Sequence, residues 1–231
     1  MTTSGTFNFG LSGAGLAVAA YSRIQVRRTA ILPEHMQDAF TETNLMLSKF
    51  SNLQPNLWTV DLISVPLIQG QQTYTVDPST IQILDAYLSF PGAPESDRLI
   101  FPISRTEYAS FPNKLVQAVP SVFWFDRLIN PTITLWQVPD ATGTMILNYY
   151  RVRQIQDANI VAGEMPELPY RFQDCMVAEL AHRLSRIWKP EVENARKTDM
   201  QEAWKVATTQ DVETDPDLFI VPQIGNYTIN Q

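Results

Sequence analysis

The sequence predicts an α+β fold, in which two N-terminal and two C-terminal helices form a bundle around an inserted, mainly antiparallel β domain. Apolar residues recur at helical spacing near both ends of the chain, but they alternate with period two between about residues 57 and 157. Sixteen prolines against nine glycines punctuate the short central runs. We expect N-terminal helices in residues 1–55, the β domain in 56–162, C-terminal helices in 163–213 and an extended tail in 214–231.

Two helices are predicted before the β domain. Residues 12–27 place Ala, Leu and Val on a helical period and end in arginines, where cations suit the helix dipole. Pro33 is a natural first-turn residue of the second helix. Its apolar stripe has steps of four, three, four and three residues: Met36, Phe40, Thr43, Leu47 and Phe50.

Beyond Pro55 the apolar period changes from helical spacing to two. Trp58, Val60 and Leu62 lie on one face of the predicted strand, and residues 59, 61 and 63 lie on the other. Gly70 and two glutamines then supply a turn, so residues 57–78 predict two strands paired through that turn. We expect five to seven short strands in all, with a hairpin-like junction at residues 129–131.

One short helix is predicted inside the β domain. Ser104 and Glu107 have the spacing of a capping box, and Pro112 ends the single turn that they open.

The helical period returns near the C-terminus. Arginine and lysine residues lie away from the apolar stripe, and Pro190 ends one helix and begins the next. The predicted stripe consists of Phe172, Met176, Leu180, Leu184 and Ile187.

Composition excludes several classes of protein. A formal net charge of −7 argues against a protein that wraps DNA by neutralising phosphates. The single cysteine, Cys175, excludes an intramolecular disulfide framework, and we expect it to be a buried helix residue. The apolar N-terminal run lacks a preceding cationic region and is interrupted by Gly and Ser, so it predicts neither a signal peptide nor a membrane span.

Candidate catalytic and metal sites are weak. His35 and His182 have no companions at ligand spacing, and "GLSGAG" lacks the Lys-Ser/Thr ending of a phosphate loop. Glu164 and Glu167 could be imagined as a glycosidase pair, although capping of the following helix is their expected role. We therefore expect no catalytic residue, metal or cofactor. A phage-borne cell-wall glycosidase and a carbohydrate- or nucleic-acid-binding module stay open as alternatives.

The order and spacing of several phrases resemble a known family. "LPEHMQDAFTETNLMLSKFSNLQPNLWTV", "IQGQQTYTV", "ISRTEYASFP", "PSVFWFDR", "ITLWQVPD" and "ELPYRFQDCMVAELAHRLS" follow one another over about residues 30–190. This order is similar to that of bacteriophage head-to-tail adaptor (connector) proteins, of the tail tubular protein A type or the packaged-DNA-stabilising type of short-tailed phages.

The resemblance implies a structural virion protein that assembles in the host cytoplasm into a ring, typically a dodecamer. Such a ring docks between the portal protein and the tail nozzle, a tail tubular B-type protein, with tail fibres near it. Double-stranded DNA passes through its channel without sequence-specific binding, and the ring retains the packaged genome. The family's fold, a helical bundle with an inserted β domain, agrees with the prediction from the residues.

Partner contacts are expected at exposed aromatic and apolar positions. Phe123, Trp124 and Phe125 cannot all face one side of a strand, so at least one side chain points away from the local core. Residues 57–78, with their alternating apolar residues, are expected to pair between subunits or within a sheet, and the tail is expected to reach the portal or a neighbour. The expected partner-binding residues are Trp58, Tyr74, Trp124, Leu218, Phe219 and Ile220.

Overall fold

The computed structural model describes residues 4–5, 10–53, 57–92 and 96–209. These residues form an α+β fold with five α-helices and a curled seven-stranded sheet. The elements are α1 (Gly13–Arg23), α2 (Pro33–Leu53), β1 (Val60–Pro66), β2 (Thr73–Thr75), β3 (Thr80–Phe90), β4 (Ser96–Pro102), α3 (Arg105–Ser110), β5 (Val122–Asp126), β6 (Thr132–Trp136), β7 (Ile146–Arg153), α4 (Gln173–Trp188) and α5 (Glu193–Thr208).

Both predicted N-terminal helices are confirmed. The Ser12 hydroxyl caps α1 by accepting a hydrogen bond from the Gly15 amide at 3.1 Å. Gly13 allows α1 to approach a neighbouring loop, because a Cβ atom there would lie 2.3 Å from the Glu164 carbonyl oxygen. Helix α2 begins at Pro33, as expected for a residue that lacks the amide hydrogen. Three residues of the predicted stripe are buried and two pack partly against the same core: Thr43, Leu47, Phe50, Met36 and Phe40.

Helix α4 is the centre of the helical part, because α1, α2 and α5 all contact it. Four predicted stripe residues are buried: Phe172, Met176, Leu180 and Leu184. Ile187, the fifth, is exposed in the last turn, so the stripe is one residue shorter than predicted. Helix α4 ends at Trp188, and Pro190 opens a short 3-10 turn that leads into α5, as the sequence predicts.

The strand order is β1-β7-β3-β4-β5-β6-β2, and every neighbouring pair is antiparallel except β4 and β5. Strand β1 pairs with β7, with Val60 opposite Val152, whereas β2 pairs with β6. The prediction that residues 57–78 pair with each other is therefore wrong, because β1 and β2 lie at opposite ends of the strand order. Each strand instead pairs along its full length with a strand distant in the chain, β1 with β7 and β2 with β6.

Two local predictions in the β region are confirmed. Strands β5 and β6 form the hairpin around residues 129–131, with Asp126 opposite Thr132. The Ser104 hydroxyl accepts from the Glu107 amide at 3.1 Å, and the Glu107 carboxylate accepts from the Ser104 amide at 2.7 Å. This capping box opens α3, which lies beside β5.

The described residues bury two separate hydrophobic cores with no member in common. The helical core lies between α1, α2, α4 and α5, and Tyr21, Phe50 and Phe172 are among its largest side chains. The sheet core lies on the inner face of the strands and is centred on residues such as Phe123 and Leu135. The helices and the sheet thus each have their own source of stability.

Candidate interaction surfaces

Trp58, the first predicted partner residue, lies where the helical part meets the sheet. Its ring is 4.7 Å from that of Phe172 and the Arg171 guanidinium lies over it at 5.6 Å. The Trp58 indole Nε1 donates a hydrogen bond to the Glu167 carbonyl oxygen at 3.2 Å. Trp58 is therefore half-buried by its own chain, and only part of its ring is available to a partner.

A compact ionic cluster joins the same two parts of the chain. Arg153, the last residue of β7, donates two hydrogen bonds to the Glu167 carboxylate and also pairs with Asp61 at 3.2 Å. The Gln156 amide donates to the Glu167 carboxylate as well. The hydrogen bonds from Arg153 hold the pKa of Glu167 below its ordinary value, although burial opposes them.

The expected capping role of Glu164 and Glu167 is wrong. Helix α4 has Phe172 at its N-cap and no side-chain cap hydrogen bond. The Glu164 carboxylate instead accepts from the Asn159 amide at 2.7 Å, within its own loop. A glycosidase acid needs a raised pKa, whereas Arg153 holds the pKa of Glu167 low, so Glu167 does not fit the role of that acid.

Tyr74 belongs to the sheet core rather than to the surface. Its side chain is only 5% exposed. Its hydroxyl accepts a hydrogen bond from the Ile68 amide at 2.9 Å, and burial raises the pKa of that hydroxyl. In the described fold Tyr74 has little surface with which to contact a partner.

Trp124 points away from the sheet core, as the expectation for the aromatic run requires. Its neighbours Phe123 and Phe125 pack on the inner face, whereas Trp124 stacks on Tyr108 of α3 with ring centroids 5.5 Å apart. A second stacked pair, Phe111 and Trp136 at 4.0 Å, continues the row on the same side of β5 and β6. The row is half-buried, so α3 covers most of this aromatic surface.

An apolar surface that the alternation pattern did not predict lies on the outer face of β1, β7, β3 and β4. Leu62 is paired with Tyr150, and Tyr87 is paired with Leu99, so these side chains share one face. Leu99 and Phe101 of β4 are 63% and 64% exposed. We call these five residues the outer sheet face: Leu62, Tyr87, Leu99, Phe101 and Tyr150. Its signal in the sequence is a run of three consecutive apolar residues in β3 (residues 86–88) and another in β4 (residues 99–101), which places apolar side chains on both faces of each strand.

A polar row crosses the same four strands beside the outer sheet face. The Ser64 hydroxyl donates to the Asn148 side-chain oxygen at 2.5 Å, and the Asn148 amide donates to the Ser89 hydroxyl at 2.8 Å. The Ser89 hydroxyl donates in turn to Asp97 at 2.6 Å. These bonds satisfy the polar groups of the row internally, and no other described part of the chain covers the apolar side chains beside it.

The helical part contains a buried ionic network. Glu179 of α4, with a side chain 3% exposed, accepts from Lys49 of α2 and from Arg183, each at 2.9 Å. Arg183 also pairs with Glu42 of α2 at 3.0 Å. Arg183 lies off the apolar stripe as predicted, yet it is mostly buried because of these pairs. The network fixes α2 against α4.

The histidines and the cysteine occupy structural positions. His35 stacks on Trp188 at 3.9 Å, and burial lowers the pKa of His182. Cys175 is buried on a helix, as expected, and burial raises its pKa to about 12.

Within the described ranges, no group of three His, Cys, Asp or Glu side chains is placed to hold a metal ion. In the same part of the chain, no helix has the length and apolar character needed to cross a membrane.

The other three predicted partner residues, Leu218, Phe219 and Ile220, lie outside the described residues.

Comparison with known proteins identifies the family of the chain. No curated protein matches it. The sequence model of one family, described as SU10 adaptor protein, matches residues 17–217, which include all the helices from α2 onward and every strand. The chain therefore belongs to the SU10 adaptor protein family, a family of bacteriophage adaptors.

Proposed function

We propose that this protein forms the adaptor ring between the portal and the tail nozzle of a phage particle, a ring through which the genome passes. The family match over residues 17–217 is the observation that supports this function most directly. A structural role also fits the outer sheet face, because soluble monomers rarely expose contiguous large apolar residues.

We assign the outer sheet face to contact with a second copy of the chain. Leu99 and Phe101 expose most of their apolar area, and a neighbouring subunit would remove that area from water. The edge strand β1 adjoins this face and pairs with β7 on one side only. In a ring this face must meet a different surface of the neighbouring subunit, because a face that contacts its own copy closes a two-fold dimer. Repeated around an axis, such a contact between unlike surfaces closes a ring.

The helices around residues 33–52 and 170–210, which comprise α2, α4 and α5, form the channel wall in this proposal. The chain has a net charge of −7, and a ring multiplies that charge. DNA phosphates are repelled by such a wall, so DNA slides through it without being trapped. Retention of the genome is then mechanical.

The proposed division of the chain follows the two cores, except that Ile155, Ala158 and Ile160 of the β segment pack in the helical core. Residues 1–55 and 163–213 supply the helical part, 56–162 the inserted β domain and 214–231 a tail that reaches the portal or a neighbour. The separate helical and sheet cores support the first two assignments.

The experiment is native mass spectrometry of the protein alone and with its cognate portal, followed by cryo-electron microscopy of the mixture. A coaxial ring stacked on the portal is expected. A monomer that never engages the portal would contradict the proposal. Salt-dependent DNA binding by that monomer would favour a nucleic-acid-binding module, and glycan cleavage would favour a glycosidase.

Variants of the outer sheet face test the subunit contact. The double change Leu99→Asp and Phe101→Asp should abolish ring formation, because it buries two charges in an apolar contact. Both side chains are exposed in the subunit, so its circular dichroism spectrum should not change. Ile129→Asp is the matched control, since Ile129 is 93% exposed in the β5–β6 turn, away from the outer sheet face. Rings formed by the double variant would exclude this face as the contact.

A further inference from the structure

An open groove runs along the surface of α1, α4 and α5, where two concavities adjoin. The first has a volume of about 650 Å³ and lies between α1 and α4. The second, of about 350 Å³, lies between α4 and α5. Arg23 and Asp174 line both and form an ion pair with each other, so the two concavities are one continuous groove. We call it the α1-α4-α5 groove.

The α1-α4 end of this groove is apolar. Leu11 and Tyr170 form its sides and are both exposed. Ala19 and Val177 also line it, and Val177 is buried. Apolar area predominates over polar area at this end, so it suits a short stretch of apolar side chains rather than a charged ligand.

The α4-α5 end of the groove is charged and lies at the last turns of α5. Arg23 and Arg171 supply positive charge there, while Asp174, Asp199 and Glu202 supply negative charge, so acidic side chains outnumber basic ones at this end. Val206, which is exposed, lines the groove in the last turn of α5. The described chain ends at Thr209, so whatever follows α5 leaves the helix beside this end of the groove.

The sequence that follows α5 contains an apolar segment at a distance along the chain that allows it to reach the apolar end of the groove. Residues 211–217 include four acidic residues, and residues 218–221 are Leu-Phe-Ile-Val. The linker of residues 210–217 spans at most about 28 Å when extended, more than the roughly 24 Å length of the 16-residue helix α4, along which both concavities lie. The acidic linker would gain no net attraction at the charged end, and the apolar residues would follow it into the apolar end.

We propose that the C-terminal segment of each subunit docks into its own α1-α4-α5 groove, with residues 218–221 between Leu11 and Tyr170. A segment tethered this closely has an effective concentration in the millimolar range, so a weak apolar contact is sufficient to hold it. The negative charges of Asp199 and Glu202 oppose the acidic linker, which makes the apolar contact the main source of affinity.

Docking gives the tail two alternative positions. In the free subunit the apolar residues are covered, which protects them from association with other copies. A partner that binds residues 218–221 must compete with the groove, so the tail becomes available only where such a partner is present. Docking of this kind holds for the free subunit whether or not the protein forms a ring.

The test uses the full-length protein with a nitroxide label on Gln223→Cys, two residues beyond the apolar segment. Native Cys175 is buried and its raised pKa keeps it as the thiol, so labelling is selective. Methyl resonances of Leu11 and Val177 should be broadened by the label. The methyl groups of Leu99, on the outer sheet face, are the control and should stay sharp.

Dilution and substitution decide between occupants. The broadening should persist in a tenfold excess of unlabelled protein, whereas its loss would show that a second copy occupies the groove and would overturn the proposal. Phe219→Asp in the labelled chain should reduce the docked-to-undocked ratio about tenfold, since one large apolar side chain contributes about that factor. Tyr227→Ala is the matched control in the same tail.

Two further outcomes would also overturn the proposal. Broadening spread evenly over the surface would mean that the tail has no preferred site. Nuclear Overhauser contacts from Phe7 or Phe9 to the Leu11 and Val177 methyl groups, with no effect of the label, would assign the groove to the N-terminal residues.

Discussion

Removal of the Glu179 charge should destabilise the protein more than removal of a surface charge. Glu179→Gln keeps the shape of the side chain but leaves Lys49 and Arg183 without their shared carboxylate. Loss of one partner from a buried ion pair costs about 3–5 kcal/mol. Lys49 is 39% exposed and can be rehydrated, and Arg183 keeps Glu42, so the expected loss is lower, about 2–3 kcal/mol.

Urea denaturation followed by circular dichroism measures this loss at neutral pH. The matched control is Asp199→Asn, which removes one carboxylate from the Arg196–Asp199 pair on the surface of α5. That pair is partly exposed and three residues apart on one helix, so its removal should cost only about 0.3–0.5 kcal/mol. A loss for Glu179→Gln no larger than that of the control would refute the account of the buried network.

The pH dependence gives the same prediction a second readout. Burial raises the pKa of Glu179, but hydrogen bonds from Lys49 and Arg183 outweigh burial, and the net pKa is lowered. The stabilisation is therefore fully present above the pKa of an unfolded glutamate and is lost as the pH falls through the lowered folded value. The difference between the wild-type protein and Glu179→Gln should shrink over that acidic window. A difference that is constant with pH would show that packing, not ionisation, is responsible.

Three further predictions concern close packing, capping and the junction. Gly13→Ala should lower the free energy of unfolding by about 1–3 kcal/mol, because its Cβ atom would meet the Glu164 carbonyl oxygen at 2.3 Å; equal stability in urea would contradict that contact. Ser104→Ala removes the α3 cap and should lower the free energy of unfolding by about 1 kcal/mol; unchanged hydrogen exchange of the α3 amides would contradict this. Arg153→Met removes the link between the sheet and Glu167, so the helical part and the sheet should unfold at different urea concentrations when tryptophans of each part are followed by fluorescence. Unfolding transitions that coincide would contradict this.

The helices could be predicted because the patterns that specify a helix involve residues close together in the sequence. The stripe through Leu47 and Phe50, the cap at Ser104 and the break at Pro190 each depend on residues within a few turns of one another. Alternation likewise predicted strands in the centre of the chain. It did not predict that β1 pairs with β7, because period two fixes which residues share a face but not which strand is the neighbour.

The candidate surfaces were harder to predict for the same reason. Tyr74 was expected at a contact, but a three-residue strand gives too little alternation to tell its inner from its outer face. Glu167 was expected to cap a helix, whereas its partner Arg153 comes from the end of β7. The outer sheet face joins residues of four strands, so it exists only once the register between those strands is known.

The pairing of β1 with β7 explains how a sheet is accommodated between two pairs of helices. Because Val60 lies opposite Val152, the chain leaves the helical part and returns to it at neighbouring positions. Arg153 and Glu167 then close this junction with an ion pair, and the Ser51 hydroxyl of α2 accepts from the Ile155 amide at 3.1 Å. A unit attached at one place can present its outer face to a neighbouring copy without disturbing the helical core. Substitutions on the sheet and on the helices should thus affect the proposed subunit contact and the proposed channel wall independently.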